Sequence, residues 1–441
     1  MNSGEVRIVF RKLLIPTLLG SIALSAVTVI DGIFVGHGVG ADGVAAINIV
    51  APIYLIMSGL GLMIGSGCSV LAAIHLSKQQ DKAARWHTTQ AILASSILTL
   101  TICLTAFLFP TRTAYLLGSS STLLPQVLDY LKWILPCFLF EMWSLVGLFV
   151  IRLDGSPKYA MWCNIIPSLL NVILDWIFIF PLGMGVKGAA IATAISIIVG
   201  GIMAIAYLAG WAKTLRLTPF HPHRSNIKQA IKDLAEQCKI GSSSLFTELT
   251  LAILIFVGNL VFMKYFGDAG VGAFGIACYY TPIFVMAGNA IAQSAQPIIS
   301  YNFGIAQWDK IRQARHLLLR TATATGVVLS LLFIVLPKEA VALFVDPKSL
   351  AGNIAIEGFP YFATGILFFI LNVAMIGYFQ SIKQTYLSNI IVSLRGGILL
   401  IPTFLILPHL LGATGAWIAM PITEIITSLI ILLICLRSRS R

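Results

Sequence analysis

Asn164, Ser168, Asn171 and Asp175 lie within an otherwise apolar stretch, CNIIPSLLNVILDWIFIFP, from Cys163 to Pro181. Spacings of four, three and four put all of them on one face of a helix. A carboxylate held inside a membrane costs about 2.5–3.5 kcal/mol on insertion scales, so it normally faces the bundle interior or a wet cavity. Asp175 in such a place can take up a proton, or join hydroxyl and amide oxygens around a sodium ion. The structural alternative is a protonated carboxyl bonded to a neighbouring helix. Asp31, in VIDGIFVGHGVG, is the second candidate. Ser21, Ser25 and Thr28 precede it at helical spacing, and its structural alternative is a cap at a break near Gly32. Three more acids fall within apolar stretches: Glu141, Glu248 and Glu424. Lys132, Lys239 and Arg395 are the bases in or near such stretches. No tight local acid–base pair is evident among them, so the acids are expected to face a cavity or to be neutral.

The elements that position these residues are membrane helices. Of 441 residues, 58% are hydrophobic and 10% charged, against about 25% charged in a soluble domain. Runs of about twenty apolar residues fit spans at about 12–37, 46–76, 87–110, 123–151, 159–181, 187–212, 232–264, 270–299, 314–336, 357–381, 386–408 and 412–436. The basic and then apolar N-terminus resembles a signal peptide, but the run is long and lacks a clear cleavage site, so it is taken as a retained first span. Loops on one side carry 20 Lys and Arg and those on the other carry five, which places both termini in the cytoplasm. The net charge of +12 follows from this bias and calls for no nucleic acid.

The chain also repeats. Gly40 and Gly267 are 227 residues apart, as are Gly61 and Gly288, Pro181 and Pro408, and Gly188 and Gly415. A constant offset at four separated points predicts two six-helix halves of the same orientation. The expected organisation is an N-terminal bundle, 1–215, a basic linker, 216–231, and a C-terminal bundle, 232–441, with a site near mid-depth.

Four motifs resemble one known family: VIDGIFVGHGVGADGVAAINIVAPI, RLDGSPKYAMW, LGMGVKGAAIATAIS and QPIISYNFGIAQ. They look like the multidrug and toxic compound extrusion (MATE) transporters, near the branch of bacterial multidrug efflux proteins. The resemblance covers nearly the whole chain. It implies that a first-span Asp at Asp31, a fifth-span Asn-x-x-x-Asp at Asn171 and Asp175, and a sixth-span Thr at Thr193 bind the coupling proton or sodium. It gives Glu248, in SSSLFTELT, a role in coupling or substrate binding in some branches. Sodium-coupled members can add a tenth-span Asp, where LFFILNVAMIGYFQ offers only Asn372. That departure favours the cluster in the first half.

Weaker candidates for substrate contact are Asn289, Gln293 and Gln296 on one face of the eighth span, with Glu424 and Glu141. Glu424 is a candidate counter-charge for a cationic substrate. Met57, Met63, Phe138, Phe140, Met286 and Phe369 can line a greasy pocket, although such side chains more often pack. Gly61 and Gly65, in GxxxG register, permit close helix contact. The chain has no HExxH, nucleophile elbow or Walker motif, and Cys and His form no ligand pattern, so neither an enzyme nor a cofactor is expected. The expected protein is an all-α, twelve-helix antiporter in the cytoplasmic (inner) membrane of a prokaryote. It would export organic cations or amphipathic drugs as a monomer, using protons or sodium. A lipid or lipid-linked oligosaccharide flippase of the same architecture is the runner-up. Such a flippase needs a basic cavity, and here mid-membrane charge is mainly acidic.

Overall fold

In the computed structural model the chain is all helix and turn among the described residues. The structure describes residues 3–38, 41–117, 119, 121, 123–218 and 227–437, apart from the side chains of 3, 4, 26, 28, 29, 31–33, 35–37, 41–45, 48, 227, 268 and 437. The first six spans are Ser3–Gly38, Ala41–Ser77, Asp81–Leu108, Leu124–Leu153, Pro157–Ile179 and Gly185–Trp211. The next four are Lys228–Gly267, Ala269–Gly304, Trp308–Val335, and the pair Leu350–Ala363 and Ile366–Ser381, bent by 51°. The helical stretch Thr385–Leu436, 52 residues, is broken at Gly412, φ 60°, and supplies the last two. At 1.5 Å per residue that stretch is about twice as long as one crossing needs, so the chain crosses twelve times. Gly267, φ 65°, makes the matching break between the seventh and eighth spans. Only a residue without Cβ takes this left-handed region at little cost, so a sharp reversal falls on glycine in both places.

The repeat seen in the sequence recurs in the backbone. Gln79 and Ala306 both have positive φ, 58° and 54°. Each sits in the same turn: Gln80 N–H bonds to the His75 carbonyl, and Gln307 N–H bonds to the Asn302 carbonyl. Gly185 and Gly412 are a second pair with positive φ at the same offset. Short helices begin at Pro110 and at Pro337, again 227 apart. Packing repeats too. A Cβ on Gly61 would lie 2.6 Å from Leu145 of the fourth span, and one on Gly288 would lie 2.8 Å from Val373 of the tenth. The GxxxG glycines therefore let the second span close on the fourth, as expected of small residues inside a membrane.

Two compact units result. One comprises residues 1–10, 246–299 and 308–441, and the other residues 11–245 and 300–307. The second unit thus takes in the first half of the seventh span. There Gln237, fully buried, donates from Nε2 to His87 Nδ1 at 3.0 Å and to Gln90 Oε1 at 3.1 Å. Its carbonyl lies against Gly67, where any Cβ would collide.

After the fourth span, Asp154 holds the chain that leaves the sixth. Its carboxylate accepts from Tyr207 Oη at 2.8 Å and from the backbone N–H groups of Lys213, Thr214 and Leu215 at 2.7, 2.8 and 2.8 Å. Three consecutive amides need an acceptor here, and Asp154 is 7% exposed. Asp154→Ala is expected to leave those donors buried without a partner. About 3 kcal/mol of stability should be lost, read as a lower apparent melting temperature of the purified protein.

Candidate functional site

The fifth span turns its polar face inward. Ser168, Asn171 and Asp175 are buried, and Asp175 has no exposed surface, 0%. Ile166, Leu169, Ile173 and Trp176 on the opposite face are exposed. A helix in lipid must be built this way round, because apolar side chains already have a matching solvent outside.

Two glycines of the sixth span bring it onto this face. A Cβ on Gly188 would lie 3.0 Å from Phe178, and one on Gly200 would lie 3.2 Å from Pro167. Between them, Thr193 Oγ1 accepts from Asn171 Nδ2 at 3.4 Å. The first span is close at both ends of its second half. A Cβ on Gly20 would lie 3.1 Å from Asn164 Nδ2, and Gly38 abuts Ile179. The side chain of Asp31 lies outside the described residues. Its helix nonetheless runs beside the fifth span between those two contacts. Asn171 and Thr193 are therefore brought together by the fifth and sixth spans, with Asp175 one turn further along the fifth. Amide, hydroxyl and carboxylate oxygens of this kind suit a proton or a small hard cation. Thr193→Val removes the acceptor for Asn171. It is expected to lower ion-driven transport several-fold with about 1 kcal/mol of stability lost, measured as initial transport rate and apparent melting temperature in parallel.

The other candidates have different surroundings. Glu141 is half-buried and its Oε1 accepts from Tyr54 Oη at 3.3 Å. Glu248, Asn289 and Gln293 are half-buried and Gln296 is 5% exposed, all in the other compact unit. Met57 and Phe138 are core residues, each with 0% exposure, and they pack together in one apolar cluster. Among the described residues no group of three His, Cys, Asp or Glu is placed to hold a metal ion.

Glu424 corrects the expectation drawn from local spacing. Its carboxylate is already paired with a cation. Arg395 Nη2 and Nε donate to Glu424 Oε1 at 2.8 and 3.1 Å. Asn372 Nδ2 donates to Oε2 at 2.6 Å, and Ser428 Oγ donates to Asn372 Oδ1 at 2.7 Å. Arg395 and Glu424 are 1% and 3% exposed. The two residues are 29 apart in sequence, on the eleventh and twelfth spans, beyond the reach of a search for acid and base within one or two turns.

Two repeated halves of six spans, with the polar face of the fifth span buried, define a polytopic membrane protein of a transporter class. The MatE family model matches residues 16–177 and again residues 244–405, an offset within one residue of the internal repeat. The chain belongs to the MatE family, and it is a transporter and not an enzyme. The multidrug export protein MepA of Staphylococcus saprophyticus is 22% identical, covering 97% of this chain and 93% of the relative. MepA of Staphylococcus aureus is 23% identical with the same coverage. A solved Vibrio cholerae MATE transporter superposes with a TM-score of 0.91 at 20% identity, covering 100% and 98% of the two chains. A MOP superfamily transporter from Pyrococcus furiosus gives 0.88 at 22% identity, covering 96% and 93%.

Proposed function

We propose that this chain exports organic cations and amphipathic drugs by antiport, coupled to proton or sodium entry. The observation that carries the coupling scheme is the buried run of Ser168, Asn171 and Asp175, with Thr193 bonded to Asn171. The cargo class is supported by the multidrug export proteins to which the chain is similar. Asp31, Asn171, Asp175 and Thr193 form the ion site in this scheme. Charge neutralisation there biases the bundle between two arrangements, through the ion's different affinity for each. Glu248, Glu141, Asn289, Gln293 and Gln296 are assigned to cargo contact. The working parts are the bundles 1–215 and 232–441, joined by the linker 216–231. The Lys and Arg bias supports cytoplasmic termini, the bacterial relatives support the cell membrane of a prokaryote, and one chain is taken as the transporting unit. The flippase alternative needs free mid-membrane positive charge, and the guanidinium of Arg395 is already taken by Glu424.

Everted membrane vesicles containing the protein test this reading. Ethidium is expected to accumulate when an ion gradient is imposed and to leave when that gradient is collapsed. Collapsing proton and sodium gradients in turn identifies the ion. Accumulation that ignores both gradients would sink the antiport reading.

A further inference from the structure

The Arg395 cluster has the chemistry of a receptor. Glu424 supplies a carboxylate already oriented by Asn372, whose side-chain oxygen is in turn held by Ser428. The Phe369 ring supplies an aromatic face, with the Arg395 guanidinium carbon 4.3 Å from its centroid. A carboxylate beside an aromatic face is what a flat or quaternary organic cation seeks, by charge pairing and by cation–π attraction. Nothing in this set of partners requires that the cation be covalently attached.

The backbone under Arg395 is also unusual. Residues Leu394–Ile398 form a π-helical turn, an element that is rare and found mainly as single-turn bulges at functional sites. Relaxing that turn to α-helix would rotate Arg395 by roughly 100° about the helix axis, away from Glu424. Within the turn Gly397 faces open space, whereas Gly396 lies against Thr250 of the seventh span, so the change would have to part that contact.

We infer that Glu424, Asn372 and Phe369 form a binding site for an organic cation, and that Arg395 is its tethered occupant, displaced when cargo enters. This rests on the reading of the chain as an exporter of cations. A built-in competitor has two uses. It keeps the carboxylate neutralised when no cargo is bound, and it lowers apparent affinity by the fraction of time it holds the site.

The first test is chemical rescue of Arg395→Ala by guanidinium ion. The purified variant is heated with millimolar guanidinium chloride or with equal sodium chloride. The expected result is a rise in apparent melting temperature with guanidinium in Arg395→Ala only. Wild type and the double variant Arg395→Ala with Glu424→Gln should not respond. Absence of rescue in Arg395→Ala, or an equal response in all three proteins, overturns the inference. Should Arg395→Ala fail to fold, Arg395→Lys keeps the positive charge while losing the paired Nε and Nη2 contacts. It is then compared with wild type for ethidium binding by fluorescence. About tenfold tighter binding is expected, because a weaker internal competitor holds the site less often. Glu424→Gln in the same background should erase the gain. A folded Arg395→Lys that binds ethidium no more tightly than wild type overturns the inference. The export reading is judged separately. Failure of wild-type vesicles to move ethidium leaves the guanidinium result interpretable, and efflux without rescue removes this site alone.

Discussion

Asp175→Asn is expected to reduce gradient-driven drug export at least about tenfold, a loss of about 1.4 kcal/mol or more in the driving interaction, while the protein is still made and inserted. The change conserves shape, and an amide is a milder guest than a carboxylate in a fully buried place. What it removes is the capacity to switch between charged and neutral forms. The fold should therefore persist while the coupling does not. The measurement is ethidium efflux from cells, normalised to the amount of protein in the membrane. Wild-type efflux from Asp175→Asn would remove this residue from the ion site. Asp31→Asn belongs in the same experiment, because its helix runs beside the fifth span.

The second large effect concerns the buried ion pair. Removing only Arg395 or only Glu424 should cost about 3–5 kcal/mol, since each strands the other's charge away from water. Replacing both at once, Arg395→Met with Glu424→Leu, should come close to wild-type stability, because two desolvated charges disappear together. Apparent melting temperatures of the two single variants and the double variant decide the matter. Singles that melt with wild type would show that the pair contributes nothing to holding the tenth, eleventh and twelfth spans.

The ion pair also marks where sequence reasoning stopped. Twelve apolar runs, the 227-residue repeat and the inward polar face of the fifth span were all legible. Hydropathy and helical periodicity are properties of one segment, and membrane burial enforces them strongly. The packing role of Gly61 was legible for the same reason. Arg395 and Glu424 were each visible as mid-span charges, but their partnership depends on how three helices rotate against one another. Asp154 was hidden differently. It lies in the recognisable RLDGSPKYAMW motif, yet its partners are three backbone amides some sixty residues away. Backbone donors carry no residue-type signal, so no motif search finds them.

The turns at Gln79 and Ala306 bear on ancestry. A left-handed backbone at a residue with a side chain carries a steric penalty that glycine would avoid, of order 1 kcal/mol. Among the described residues this chain carries that penalty three times, at Gln79, Ala306 and Lys383, and the first two stand at matching places with unrelated amino acids. The same φ and hydrogen bond also occur at Lys383, so what coincidence would have to reproduce is the 227-residue offset at three pairs of positions: Gln79 and Ala306, Gly185 and Gly412, and Pro110 and Pro337. A single half-length gene, doubled and then left to drift, explains all three. The skeleton thus preserves a kinship between the halves that their present amino acids have largely erased.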